Sequence, residues 1–80
     1  MQVSVFVFAG LKAFFEPCFE LQLPDNAPVT EMIGALRRQN SGSMELLSRS
    51  RVAVDEEFVS NDYKLSDNDR IYILPPSSGG

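Results

Sequence analysis

Two segments near the ends of the sequence constrain the fold most, because each alternates residue by residue and is apolar on both sides of the alternation. They are QVSVFVF (residues 2–8) and RIYIL (residues 70–74). Residues two apart share one face of a β-strand, so both segments are predicted strands with two apolar faces. Strands of this kind belong inside a sheet and not at its edge. We therefore expect these two to lie side by side near its centre.

The segments between them predict the rest of a sheet and one main helix. CFELQL (18–23) alternates apolar and polar residues, which is typical of a half-buried edge strand, here antiparallel to the first. VTEMIGALRRQ (29–39) has apolar residues at helical spacing and follows Pro28, a residue suited to a first helical turn. Within this helix, Gly34 is expected where the backbone passes close to the sheet. MELLSRS (44–50) predicts a short second helical turn, RVAVD (51–55) a strand, and FVS (58–60) a short extension.

The order β-β-α-β-(β)-β predicts an α+β roll in which one main helix packs on one face of a mixed sheet. This arrangement is the β-grasp, the architecture of ubiquitin. The domain is expected over residues 1–74, with a flexible tail over residues 75–80. The core predicted beneath the helix consists of Val3, Val5, Val7, Ile33, Leu36, Val52, Ile71 and Ile73.

The opposite face of the sheet is predicted to be apolar as well. A lone monomer rarely leaves a contiguous apolar surface uncovered, and binding of a partner is the usual explanation. A second interpretation stays open, in which the segment 11–17 folds over this face and forms a small second core. The residues predicted to bind a partner are Phe6, Phe8, Phe58, Tyr72 and Leu74.

Composition excludes several classes of function. A chain of 80 residues holds one thin core and no enclosed active site. The net charge of −4 argues against binding to nucleic acid or to an anionic membrane surface, and no apolar run is long enough to span a bilayer. There is no histidine and no glycine-rich phosphate-binding loop, so no metal site and no bound cofactor are expected. The single cysteine, Cys18, favours a reducing compartment, the cytoplasm, and is interpreted as a small packing residue and not as a sulfur relay.

The last residues, LPPSSGG, predict a tail that reaches into another protein. Pro75 and Pro76 favour an extended path, and six residues can span about 20 Å. Gly79 and Gly80 have no side chain beyond the α-carbon, so they can enter a channel that a larger residue would block. We expect such a tail to deliver the carboxylate of Gly80 to a partner's active site. The alternative is an ordinary frayed terminus.

Three stretches, VSVFVFAGLK, VAVDEEFVSNDYKLSDNDR and RIYILPPSSGG, resemble the MoaD-type sulfur carriers, the ubiquitin-like small subunits of molybdopterin synthase. The resemblance covers essentially the whole chain, and the PPxxGG ending is its most specific element. GLKAFF and SGSMELLSRS match weakly, and Asn68 stands where the family often has glycine. Asn68 is nevertheless a residue that tolerates a left-handed backbone.

The resemblance implies a carrier cycle. A ubiquitin-activating-like enzyme uses ATP to adenylate the terminal glycine, matched here by Gly80, and sulfur transfer then gives a thiocarboxylate. The large synthase subunit accepts the tail, in a heterotetramer of two small and two large subunits, and uses the sulfur to build the dithiolene of molybdopterin. The family's apolar docking contacts match Phe8, Phe58 and Leu74.

Two alternatives to this function stay open. One is a sulfur carrier of the thiamine pathway, which generally lacks the paired prolines, and the other is a protein modifier conjugated to lysines through Gly80.

Overall fold

The computed structural model describes residues 1–76 of the chain. Within this range five strands form one sheet, and two α-helices and two 3₁₀ turns connect them. The elements, in chain order, are β1 (Gln2–Val7), a 3₁₀ turn (Ala9–Ala13), β2 (Cys18–Gln22), α1 (Val29–Gln39), a second 3₁₀ turn (Ser41–Ser43), α2 (Met44–Ser48), β3 (Arg51–Val54), β4 (Glu57–Val59) and β5 (Arg70–Leu74).

The sheet is mixed and has the strand order β2-β1-β5-β3-β4. Strands β1 and β5 lie side by side and parallel inside the sheet, as their two apolar faces predicted. Strand β2 pairs antiparallel with β1 at one edge, and β4 pairs antiparallel with β3 at the other. With α1 packed on one face of this sheet, the predicted α+β β-grasp roll is confirmed.

The core lies between α1 and one face of the sheet. Alternate residues of β1 and β5 are buried there, so the predicted strand register is correct. Ile33, which was predicted for the core, is only half-buried and packs at its margin. The buried line of α1 instead runs through Val29, Met32 and Leu36, and Ile33 lies about 100° further round the helix from Met32. Other core residues are Val3, Val5, Val7, Leu11, Val52, Leu65, Ile71 and Ile73.

The prediction that Gly34 allows a close approach of α1 to the sheet is wrong. A Cβ atom placed on Gly34 would meet only the Arg38 Nη1 atom, at 3.5 Å, which is an ordinary contact. Within residues 1–76, no sheet atom lies within 4 Å of that position. The glycine therefore has no packing role in this helix.

A left-handed backbone at residues other than glycine occurs at four places within residues 1–76: Ala9, Asn26, Asp55–Glu56 and Asn68. The two residues that join β3 to β4, Asp55 and Glu56, have φ angles of 52° and 68°. Positive φ at both positions is the feature of a type I′ turn, the two-residue connection that best fits the twist of a hairpin. Asn68, before β5, has a φ of 68°, as its residue type predicted.

Candidate functional site

The pairing of the strands places a row of residues across the uncovered face of the sheet. Phe6 of β1 is opposite Tyr72 of β5, Tyr72 is opposite Ala53 of β3, and Ala53 is opposite Phe58 of β4. Directly opposed residues share one face and stand side by side. The row therefore brings together aromatic side chains from the first and last thirds of the sequence on the face that α1 does not cover.

The aromatic side chains of this face stack on one another. The ring centroids of Phe6 and Tyr72 are 4.9 Å apart, and those of Phe8 and Tyr72 are 6.3 Å apart, with nearly parallel planes. Phe8 and Phe58 are 39% and 55% exposed, and the other members are half-buried. We call this surface the outer patch and define it by the five residues that the sequence predicted: Phe6, Phe8, Phe58, Tyr72 and Leu74.

The segment 11–17 does not cover the outer patch. Leu11 is fully buried in the main core, and the ring of Phe15 stacks on Phe19, whose Cα partner is the core residue Val5. The Asn40 side-chain amide donates a hydrogen bond of 3.1 Å to the carbonyl oxygen of Phe14. These contacts hold the segment on the helical side of the sheet, so the second interpretation, a small core over the outer face, is wrong.

A shallow concavity of about 300 Å³ lies within the outer patch. The residues around it include two that sequence reasoning did not select, Ala53 and Glu56. A signal for Ala53 was present, because it alternates with the inward Val52 and Val54 and must therefore face outward. Glu56 lies in the acidic connection between RVAVD and FVS, and that composition gave no comparable signal. The lining residues are Phe8, Ala53, Glu56, Phe58, Tyr72 and Leu74.

Charged residues border the outer patch. The guanidinium carbon of Arg51 lies 3.7 Å from the ring centroid of Phe58, which is a cation–π contact. At the other end of the patch, Ser4 of β1 lies between its Cα partners, Glu20 of β2 and Arg70 of β5. These three polar residues form a row that limits the apolar surface toward the start of β5. The patch thus has an apolar centre and a charged rim, which is the composition of many protein interfaces.

The outer patch ends where the predicted tail begins. Leu74 is the last residue of β5, and it is followed by Pro75, which is half-buried, and Pro76, which is exposed. The predictions for Gly79 and Gly80 lie outside the described residues. The roles of Pro75 and Pro76 in threading the tail, and of the five patch residues in binding, stay predictions.

Cys18 is not the packing residue that the sequence suggested. It is an exposed free cysteine at the start of β2, and its Cα partner is Phe6 of the outer patch. Among residues 1–76, no group of three or more His, Cys, Asp or Glu side chains is placed to hold a metal ion. The same part of the chain contains no helix with the length and apolar character needed to cross a membrane.

Comparisons with known proteins agree with this geometry. Molybdopterin converting factor subunit 1 from Pyrococcus furiosus is 25% identical, with a TM-score of 0.85 over 95% of this chain and 98% of that chain. A complex of subunits 1 and 2 of molybdopterin-converting factor from Helicobacter pylori matches at 28% identity and a TM-score of 0.71, over 100% of both chains. SAMP1 from Haloferax volcanii has the same fold, with a TM-score of 0.86 at 17% identity over 100% of both chains. No curated protein matches the chain in sequence.

The β-grasp roll described above is the fold of the ubiquitin-like proteins. The ThiS family model matches residues 5–80, nearly the whole chain, and the chain belongs to the ThiS family. With the two molybdopterin converting factor structures, this match confirms the resemblance to the MoaD-type ubiquitin-like carriers.

Proposed function

We propose that this chain is the sulfur carrier subunit of a molybdopterin synthase. Its Gly80 carboxylate is adenylated, converted to a thiocarboxylate, and donates its sulfur to the dithiolene of molybdopterin. The observation that carries the proposal is the outer patch, an apolar surface that nothing in residues 1–76 covers and that ends at Leu74, directly before the PPSSGG segment. A partner that covers this patch also receives the tail.

The chemistry explains why such a carrier needs two partners. A carboxylate is a poor acyl donor until a good leaving group is attached to its carbon. In the proposed first step, a carboxylate oxygen of Gly80 attacks the α-phosphorus of ATP on a ubiquitin-activating-like enzyme, and pyrophosphate leaves. A sulfur nucleophile at the oxidation level of hydrosulfide then attacks the carbonyl carbon and displaces AMP, which gives the thiocarboxylate. ATP is bound by the activating partner, and we assign no cofactor to this chain.

The second partner is the large synthase subunit. The similar protein from Helicobacter pylori has been solved as a complex of subunits 1 and 2, which supports a large-subunit partner for this chain as well. We propose that Phe8, Phe58 and Leu74 supply apolar anchors for this contact. Pro75 and Pro76 direct the tail, and Gly79 passes through the narrow channel that leads to the active site. The proposed assembly contains two small and two large subunits and acts in the cytoplasm.

Reconstitution tests this proposal. The chain, the adenylating enzyme, a sulfide source, the large subunit and the pterin precursor should together yield molybdopterin. Mass spectrometry should show Gly80 carrying sulfur in place of one oxygen. Deletion of Gly80 moves the carboxylate back by about 3.5 Å, and a displacement of that size can cost orders of magnitude in rate. We therefore expect the deletion, and the addition of one residue after Gly80, to abolish sulfur transfer while the melting temperature stays unchanged.

Gly79→Val tests the passage of the tail through the channel while the reacting carboxylate of Gly80 is kept. This variant keeps the terminal carboxylate but adds a branched side chain where a narrow channel accepts only glycine, so both adenylation and product formation should fail. Full sulfur transfer by the Gly80 deletion would contradict the proposal. Isopeptide remnants of Gly80 on cellular lysines would favour a protein modifier, and a thiocarboxylate that never yields molybdopterin would favour a carrier of the thiamine type.

A further inference from the structure

The outer patch has one small residue near its centre. Ala53 of β3 lies between Tyr72 of β5 and Phe58 of β4, which are its Cα partners on either side. Opposed side chains stand about 5 Å apart in a sheet, so a methyl group between two aromatic rings leaves a hole. Nothing in residues 1–76 lies over this face, yet Ala53 is only 7% exposed. The larger side chains on either side of it extend further from the sheet and shield it from solvent.

The concavity of about 300 Å³ is this hole. Ala53 forms its floor, and its walls are Phe58 on one side and Phe8, Tyr72 and Leu74 on the other. Its volume is at the lower limit of sites that enclose small molecules, and two of its walls, Phe8 and Phe58, are themselves exposed. A small molecule in this hole would remain largely in water. A protein surface would cover the walls as it filled the floor, so a protein side chain fits better.

The side chains on both sides of the hole are held in place by contacts within this chain. The Arg51 guanidinium lies over the ring of Phe58, at 3.7 Å from its centroid. On the other side, the ring of Tyr72 is stacked between those of Phe6 and Phe8. A site whose side chains are already held in place loses less conformational entropy when it binds. The hole is therefore prepared for insertion of a side chain before any complex forms.

We propose that the hole over Ala53 receives one apolar side chain from the partner protein that accepts the tail. This inference rests on the proposed function for the identity of that partner, the large synthase subunit. The hole lies beside Leu74, so a side chain seated in it fixes the partner's position relative to the start of the tail. Glu56 at the rim disfavours an acidic group next to the inserted side chain. The small size of Ala53 thus helps to determine which protein surfaces can dock.

Substitutions at Ala53 test this inference. The full chain is titrated calorimetrically against the large subunit from the same organism. Ala53→Leu fills the hole and should weaken binding by about tenfold or more, the loss expected when an interface anchor is displaced. Ala53→Ser keeps the size of the residue and should bind within about twofold of the original chain. Ser4→Leu adds the same side chain to the polar row of this face, outside the hole, and should also stay within about twofold.

Thermal unfolding of each variant separates docking from folding. If Ala53→Leu folds poorly, Ala53→Val replaces it, because valine is a good strand residue that still adds two methyl groups to the hole. Unchanged binding by a folded Ala53→Leu or Ala53→Val chain would overturn the inference and leave the proposed function intact. If the chain bound only the adenylating enzyme, with the same dependence on Ala53, the role of the hole in docking would be supported. The assignment of the large subunit as the protein that fills it would be contradicted. Binding of the original chain to neither protein would overturn both.

Discussion

The two faces of the sheet are built from the same strands but have opposite surroundings. Within β5, Ile73 is completely buried beneath the helical layer, and the next residue, Leu74, is half-buried in the outer patch. The same contrast holds around β1, where the valines face the core, and Phe6 and the residue just after the strand, Phe8, face outward. Apolar content therefore does not distinguish the two faces. What distinguishes them is the helical layer, which within residues 1–76 covers one face and not the other.

This difference separates stability from recognition. Burial of a large aliphatic side chain contributes about 1.5–3 kcal/mol, and within residues 1–76 the large aliphatic side chains that are fully buried lie on the helical side of the sheet. The outer face keeps large side chains partly in water, an arrangement that becomes favourable once a partner covers them. Mutations on the inner face should therefore lower stability, and mutations on the outer face should lower affinity.

The largest effect is expected for Ile73→Ala. Removing this fully buried side chain leaves a cavity in the core and should reduce the free energy of unfolding by about 2–5 kcal/mol. Leu74→Ala, one residue later, should cost about 1 kcal/mol or less, because that side chain has no helical layer above it. Denaturant unfolding of both variants measures the difference. Equal losses would mean that the outer face is as well packed as the inner one.

Leu74→Asp should have the next largest effect, and it should fall on binding. A carboxylate at the edge of the hole must lose its hydration when an apolar partner surface covers it, so affinity for the large subunit should drop by about tenfold or more. The melting temperature should change little. Phe8→Ala should act in the same direction, because Phe8 is an exposed wall of the same hole. A parallel loss of folding and binding in both variants would remove the distinction between the faces.

Gly34→Ala should increase the stability of the folded chain without changing its binding to a partner. Glycine within a helix is about 1 kcal/mol less favourable than alanine, and the added Cβ meets only the Arg38 side chain at 3.5 Å. We expect the free energy of unfolding to rise by about 0.5–1 kcal/mol, with affinity for the large subunit unchanged. Gly42→Ala is a matched control that should bring no gain, since its Cβ would lie 3.3 Å from both Phe14 and Asn40. A loss of stability in Gly34→Ala would reveal a packing role for this glycine.

Sequence patterns predicted the faces well because alternation in a strand is a local property. The inward valines of β1 and the outward aromatic residues followed from the period of two, and the central position of β1 and β5 followed from their two apolar faces. The outer patch could be assembled from sequence for the same reason. The marginal position of Ile33 was missed because apolar spacing alone does not say which residue points straight at the sheet.

Alternation predicted that Ala53 faces outward, but the hole over it could not be predicted, because it depends on which residues the strand register places beside Ala53. Ala53 faces Phe58 only because β3 and β4 are joined by a two-residue turn with both φ angles positive, and Asp55 and Glu56 are not the glycine-containing pair that usually signals such a turn. The side taken by the segment 11–17 was likewise decided by distant contacts, such as the hydrogen bond from Asn40 to Phe14. Contacts of this kind leave no periodic pattern in the sequence.

The smallest predicted effect concerns a group outside both the core and the outer patch. The hydroxyl of Ser60 donates a hydrogen bond to the Asp62 carboxylate and lowers the pKa of that carboxyl in the folded chain, with a further contribution from the backbone of Asp62. A lowered folded-state pKa means that this group contributes stability above its unfolded pKa and that the contribution is lost as the pH falls through the folded value. Ser60→Ala should therefore raise the pKa of Asp62 toward its ordinary value, and Ser60→Thr, which keeps a hydroxyl, should not. NMR titration of the Asp62 carboxyl carbon measures this shift directly.

Because the Asp62 carboxyl is fully exposed, solvent screening should keep the change in acid stability small, and affinity for the large subunit near neutral pH should stay the same. An Asp62 pKa that does not respond to Ser60→Ala would show that the hydroxyl is not the donor that holds the charged form.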